Sequence, residues 1–220
     1  MQNKRSRAKQ GQIQRQIKKA KQQVHGATRL SHKRHKKQRQ QQQQRARRAR
    51  GGRRVTPRLP VQPDNWQWRT DPIPGGSAVL VDIDGVLSDA AGRQHYLEAP
   101  RRDWNAFFEA CGDDPVIEEV KVFLDLLDPS LRVILLTARP QRVQHLTIAW
   151  LHRYGIRWDL LITRGWGDYE LSRDYKQSAL WDLRAFGFDI RLGIEDDRRN
   201  VEMLRSEGVP CVYFHSGYYD

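Results

Sequence analysis

The first 58 residues contain no aspartate and no glutamate, although they hold 21 lysines and arginines. They also have little apolar surface, too little to offset the entropy of ordering a chain of that length. The remaining 18 basic residues share 59–220 with all 26 acidic ones, so 18 − 26 = −8 there. The net charge of +13 is therefore an average over a polycation and a mildly acidic globule. Cysteine is scarce as well. Cys111 and Cys211 have no metal-type spacing, which excludes a disulfide framework and a cysteine-rich zinc site and fits a reducing compartment. No apolar run approaches a membrane span, and the N-terminus lacks the apolar core of a signal peptide. No membrane partner and a cytoplasmic location are the expectations. No Gly-x-x-x-x-Gly-Lys-Ser/Thr loop is present, and there is no internal repeat.

What is present falls into three regions. Residues 1–58 are rich in Gln, Lys and Arg, with Gln at every position from 40 to 44, and read as a disordered basic tail. Ile13, Ile17, Ala20 and Val24 fall at helical spacing, enough for a short amphipathic helix to form on a partner. So many cations without an acid attract the phosphates of nucleic acid, the expected partner; the rival reading is a solvated charge run that aids solubility. Residues 59–77 carry repeated Pro and Gly and read as a linker or arm, whose Trp66 and Trp68 suggest that its later part packs on the globule. Residues 78–220 are the expected folded domain.

That domain opens on Ala78-Val79-Leu80-Val81-Asp82-Ile83-Asp84-Gly85. The apolar run reads as a strand buried on both faces of a parallel sheet. Asp-Gly between apolar residues would by itself equally signal a β-hairpin. The rest of the domain decides for the parallel sheet. Short apolar runs at 133–136, 160–162, 190–194 and 211–214 alternate with helical patterns at 103–111, 115–127, 141–154, 175–186 and 199–206. Asp103 is a candidate cap for the first helix, and Pro115 a candidate for the first turn of the second. The alternation predicts an α/β fold with a doubly wound parallel sheet.

Three of these strands end in polar clusters: Asp82-x-Asp84, Thr137-x-Arg139 and Glu195-Asp196-Asp197. In a parallel sheet their ends share one edge, where ligands bind. Lys176, at the start of the helix before the fourth strand, can reach the same place. Each piece alone is commonplace, since an Asp pair is usually surface decoration and Thr-x-Arg usually a helix start. Together they suit phosphoryl transfer. Carboxylates hold Mg²⁺, cations neutralise phosphate charge, Thr137 can donate to a phosphate oxygen, and an aspartate can attack phosphorus.

Asp82-Ile83-Asp84-Gly85, Thr137, Lys176 and Asp196-Asp197 resemble the four motifs of the haloacid dehalogenase superfamily of phosphatases, over residues 78–216. That resemblance implies a Rossmann-like core, with Asp82 as nucleophile and Asp84 as general acid and base. It implies that Thr137 and Lys176 bind the phosphoryl group. Mg²⁺ would be held by Asp82, the main-chain carbonyl of Asp84 and Asp196, with Asp197 or Glu195 able to share that role. Asp103-Trp104, Phe107-Phe108, Thr137-Ala138-Arg139, Arg173-Asp174-Tyr175-Lys176, Val201-Glu202-Met203 and Gly208-Val209-Pro210-Cys211 are similar, within it, to the 3′-phosphatase domain of phage-type polynucleotide kinases. The missing Gly-rich loop removes the kinase half, and Glu195-Asp196-Asp197-Arg198 departs from that family's usual Asp-Asp-Arg. Residues 89–131 suffice only for a small helical cap, which suits a polymer end. Arg139 has two readings, as a bidentate phosphate ligand or as a partner for a nearby acid.

The function expected is a Mg²⁺-dependent phosphatase of nucleic-acid 3′ ends. Its rivals are a phosphatase of nucleotides or other small esters, and a catalytically idle nucleic-acid-binding protein. DNA or RNA preference and oligomeric state are not legible.

Overall fold

A computed structural model describes residues 61–98 and 100–219. The tail expected over 1–58, with its amphipathic helix, lies outside the described residues.

The opening apolar run forms most of strand β2 (Gly76–Val81), and Ala78, Val79, Leu80 and Val81 are all buried. β2 lies between β3 (Arg132–Pro140) and β5 (Phe188–Glu195) and runs parallel to both. That pairing excludes a hairpin at Asp84-Gly85. The chain instead leaves β2 through a tight turn in which the amides of Leu87 and Ser88 donate to the Ile83 carbonyl. Gly85 takes φ +82° there, in the left-handed region that a side chain disfavours.

β4 (Leu160–Arg164) extends the sheet in parallel beyond β3, and β6 (Cys211–Tyr213) beyond β5. β1 (Trp66–Trp68) closes the far side, antiparallel to β4. The order is β1-β4-β3-β2-β5-β6. From β2 the chain builds outward through β3 and β4, then returns to lay β5 and β6 on the other side. This reversal opens a crevice beyond the carboxyl ends of β2 and β5. Within the expected arm of 59–77, Trp66–Trp68 is thus a sheet strand, and Gly76 and Ser77 already belong to β2. Only three residues long, β1 is held by Trp66 against Phe186 (ring centroids 4.7 Å apart) and Trp68 against Phe188 (6.2 Å). Such aromatic pairs contribute about 0.5–1.5 kcal/mol each beyond their buried area.

Between β2 and β3 come α1 (His95–Glu98), α2 (Trp104–Glu109) and α3 (Glu118–Leu126). Asp103 caps α2 as expected, its carboxylate accepting from the Ala106 amide. α3 starts three residues after Pro115, not at it. The Pro115 carbonyl accepts from the Asp89 amide and Val116 bridges to Ser88, so this stretch is held extended against the turn after β2. α4 (Gln144–Arg153), α5 (Ser172–Ala185) and α6 (Arg198–Ser206) follow β3, β4 and β5.

Strand periodicity divides the core into two layers. Ala78 and Leu80 join Leu180 and Leu183 of α5 and Met203 and Leu204 of α6 on one face. Val79 and Val81 join Val120 and Leu124 of α3 and Trp150 and Leu151 of α4 on the other. Since α3 covers the sheet, the inserted part of residues 89–131 is confined to what precedes it.

Candidate active site

Asp82 is the first residue beyond β2, at the crevice. Its Oδ1 accepts from the Ile83 amide at 2.8 Å, and its Oδ2 meets Lys176 Nζ at 2.9 Å. Lys176 projects from the first turns of α5 and is buried. Its ammonium also donates to Glu195 Oε2 at 2.8 Å. The other Glu195 oxygen accepts from Asn200 Nδ2 at 2.8 Å. A buried relay therefore runs Asn200–Glu195–Lys176–Asp82, from α6 across the end of β5 to the end of β2. Burial would push the ammonium to neutrality, but the Asp82 and Glu195 charges outweigh it and raise the Lys176 pKa, so the lysine stays charged. Burial, then the Glu195 charge, push the Asp82 carboxyl well above its usual range against the pull of Lys176.

Asp196, beside Glu195, completes the cluster. One carboxylate oxygen from each of Asp82, Glu195 and Asp196 lies within 4.8 Å of the others. Both Asp196 oxygens are buried and accept no hydrogen bond of ordinary geometry from the protein. Burial, with the charge of Asp82, pushes its carboxyl up to about 7, although the Ser216 hydroxyl pulls it down. Gly85 makes room for this carboxylate, because a Cβ there would overlap it. Three carboxylates against one ammonium leave −3 + 1 = −2 when all are ionised. A hard divalent cation with oxygen ligands would supply that missing charge, and a buried carboxylate short of hydrogen bonds is a donor that fits it. Asp82 (Ile83 amide, Lys176) and Glu195 (Lys176, Asn200) each have both oxygens engaged, so Asp196 is the carboxylate of the three with most capacity left for an ion.

Asp84 lies in different company. Its Oδ1 accepts from Arg139 Nε at 2.9 Å and Nη2 at 2.6 Å, and also from Arg93 Nη2. Both guanidiniums continue to Asp114, Arg93 through Nη2 at 2.8 Å and Arg139 at 3.2 Å. Ser88 Oγ donates to Asp114 at 2.5 Å and accepts from Arg139 at 3.0 Å. Burial pushes Asp84 up, but Arg139 and Arg93 outweigh it and hold its carboxyl at about 2.

The structure brings together Asp82, Asp84, Lys176 and Asp196 as the sequence predicted. Thr137 is buried toward the carboxyl end of β3, three residues before its last, where its hydroxyl accepts from the Arg139 amide at 3.2 Å and keeps its own proton to donate. Two residues stand elsewhere. Arg139 is 0% exposed, with its guanidinium taken up by Asp84, Ser88, Asp114 and Thr147, so this geometry fits the acid-partner reading and not the phosphate-ligand one. Asp197 turns away from the metal group. It caps α6, accepting from the Arg199 amide at 2.9 Å and from the Arg199 side chain. Sequence reasoning missed Arg93, Asp114 and Asn200. Asn200 had a signal, one turn into the helix after the acidic triplet, whereas Arg93 and Asp114 had none.

Comparison with known proteins gives the same neighbourhood. The family described as the polynucleotide kinase PNKP phosphatase domain matches residues 76–219. Among solved structures, a chain of the Pnkp1/Rnl/Hen1 RNA repair complex is similar with TM-score 0.56 and 23% identity, over 71% of this chain and 48% of that one. This chain thus spans about half the length of that relative. A class C acid phosphatase from Bacillus anthracis is similar with TM-score 0.50 and 13% identity, over 66% of this chain and 68% of that one.

Proposed function

The chain belongs to the polynucleotide kinase PNKP phosphatase-domain family, within the haloacid dehalogenase-type phosphatases, and from that premise we propose that it removes 3′-phosphates from nucleic-acid ends with Mg²⁺ bound at Asp82 and Asp196. The observation that carries the reading is the Asp196 carboxylate, buried beside Asp82 with neither oxygen in a hydrogen bond of ordinary geometry. Mg²⁺, when bound, neutralises phosphate charge and keeps Asp82 ionised against its burial.

Asp82 attacks phosphorus through a carboxylate oxygen. An aspartyl-phosphate forms as the bond to the departing 3′ oxygen breaks. Lys176 and the Thr137 hydroxyl hold the equatorial oxygens. Asp84 gives the leaving oxygen its proton and then takes one from the water that hydrolyses the aspartyl-phosphate. At a pKa of about 2 it is poised as the base. An arriving phosphate dianion raises that pKa by like-charge repulsion and lets Asp84 carry the proton. Arg93 and Arg139 fix its orientation through both steps.

The test compares turnover of a 3′-phosphorylated oligonucleotide, its 5′-phosphorylated counterpart and a 3′-mononucleotide. The reading expects kcat/KM highest for the first. Equal values for mononucleotide and oligonucleotide would reassign the enzyme to small esters. Residues 1–58 supply phosphate contacts in this reading. At roughly 0.7 to 0.9 in log–log salt slope per contact, six contacts from 21 cations would steepen the salt dependence of oligonucleotide binding by about four to five. A salt titration with and without those residues measures this directly.

A further inference from the structure

Residues 165–171 link β4 to α5 at the carboxyl edge of the sheet. The loop is firmly tied. Arg164 Nη1 donates to Asp168 Oδ1 at 3.2 Å and to the Glu170 carbonyl at 2.7 Å, and the Glu170 amide donates to Asp168 Oδ1 at 3.0 Å. The Arg164 guanidinium lies over the Tyr175 ring, 4.7 Å from its centroid. A loop fastened by its polar groups has the freedom to bury its apolar ones, and this one does the reverse. Trp166 is 85% exposed, Tyr169 94% and Leu171 68%. Isolated apolar residues on a surface need no explanation, but two aromatics and a leucine within six positions form a patch.

Its position matters more than its size. Leu171 directly precedes α5, and Lys176 follows five residues on, about 8 Å along the helix axis. Ser172, the first residue of α5, meets Asn200 at 3.4 Å, and Asn200 holds Glu195. The patch therefore borders the phosphate site, on a rigid support. Arg173 is exposed next to it, paired only at the surface with its neighbour Asp174, a pair weak enough to yield to a phosphate. A stable protein contact needs a far larger apolar surface than three side chains provide. Flat aromatic faces beside an exchangeable cation match a nucleic-acid strand, whose bases all present a π-face.

We propose that Trp166 and Tyr169 form a stacking platform for the last bases of a single strand whose terminal phosphate enters the site. This rests on the nucleic-acid-end reading and adds to it the part of the substrate that is gripped. Stacking of this kind contributes about fivefold to about a hundredfold in affinity per base.

The experiment uses the full chain as wild type, Trp166→Ala, Tyr169→Ala and the double variant. Trp181→Ala is the control: Trp181 is an exposed indole farther along α5, bonded to Glu207. Two probes carry no terminal phosphate: a short single-stranded oligonucleotide, and the same strand with its last two nucleotides abasic. Binding is read by fluorescence anisotropy at salt high enough to screen phosphate contacts. The double variant should bind the intact strand at least about tenfold more weakly than wild type and bind the abasic strand equally. Turnover of a generic phosphate ester should be unchanged, which shows the variants folded. Equal binding of intact strand by wild type and double variant overturns the platform, as does a wild type that does not prefer the intact strand, or an equal loss in Trp181→Ala. Turnover of the 3′-phosphorylated strand separates the two readings. Base-dependent binding without 3′-phosphate release leaves the platform and removes the substrate assignment. Release with a KM unaffected by the double variant does the opposite.

Discussion

Asp82 and Asp84 are separated by one residue and lie in opposite electrostatic settings. Around Asp84, two guanidiniums meet the two carboxylates of Asp84 and Asp114 in a closed set of hydrogen bonds, and the Asp84 pKa is held at about 2. Around Asp82, one ammonium serves a group of three carboxylates, pairing with two of them, and the third, Asp196, has no hydrogen bond of ordinary geometry; the Asp82 and Asp196 pKa values are pushed up. The first cluster is balanced by the protein alone. The second is short of positive charge when its acids are ionised, a deficit that a divalent cation would fill. One half of the site is therefore closed by its own hydrogen bonds, and the other is not.

Substitutions at four positions probe that contrast, in decreasing order of effect. Asp82→Asn should lower turnover of every phosphate ester by on the order of 10⁴ or more, because the amide cannot serve as nucleophile. Its melting temperature should not fall, since one of three crowded acids is neutralised. Retention of more than about a hundredth of wild-type turnover would assign the nucleophile elsewhere.

Arg139→Met should destabilise the fold by about 3–5 kcal/mol, a drop in Tm on the order of 10 °C, because it strands buried carboxylates. The milder Arg139→Lys should lower Tm by less and leave KM for oligonucleotides unchanged. A raised KM at constant Tm would return Arg139 to phosphate binding.

Saturating Mg²⁺ should stabilise the wild type in a thermal melt, by about 2.7 kcal/mol at a hundred times Kd. Asp196→Asn should abolish that response while melting at or above the metal-free wild type. A full Mg²⁺ shift in this variant would contradict the ligand assignment. Asp197→Ala should cost only the α6 cap, about 1 kcal/mol, with the Mg²⁺ response intact. Loss of the response would restore Asp197 to the metal.

The acid-rich half was legible in the sequence, because its members sit at or near strand ends, where a parallel sheet gathers them. Asp82, Thr137 and the acidic triplet each follow an apolar run, and Lys176 opens the helix before the last of those strands. The triplet fixed the place but not the duty of each acid, since one residue of register decides which carboxylate faces Lys176, which lies open and which caps α6. The balanced half was not legible. Arg93 lies in a turn of 3₁₀ helix and Asp114 just before a proline, both patterns of ordinary surface turns, and only the folded chain makes them partners across 21 residues. β1 was half legible. Trp66-Gln67-Trp68 alternates as an edge strand does, but three residues among prolines and glycines read more naturally as an arm.

The direction of β1 has a practical consequence. It runs against β4, with Trp66 opposite Ile162 and Trp68 opposite Leu160. The residues just before it therefore lie past the carboxyl end of β4, where Asn65 donates to the Thr163 carbonyl and Gln141 to that of Asp64. The segment after β6 leaves by the same rim, where the Tyr218 hydroxyl reaches Asp89 at 2.6 Å. Both doorways of the domain thus open onto the working rim. A fluorophore, affinity tag or surface linker fixed at either doorway would start from the rim that carries the site. The turn between α3 and β3, where Ser130 folds back onto Asp128, lies at the opposite rim and is the place for a handle that leaves the site clear.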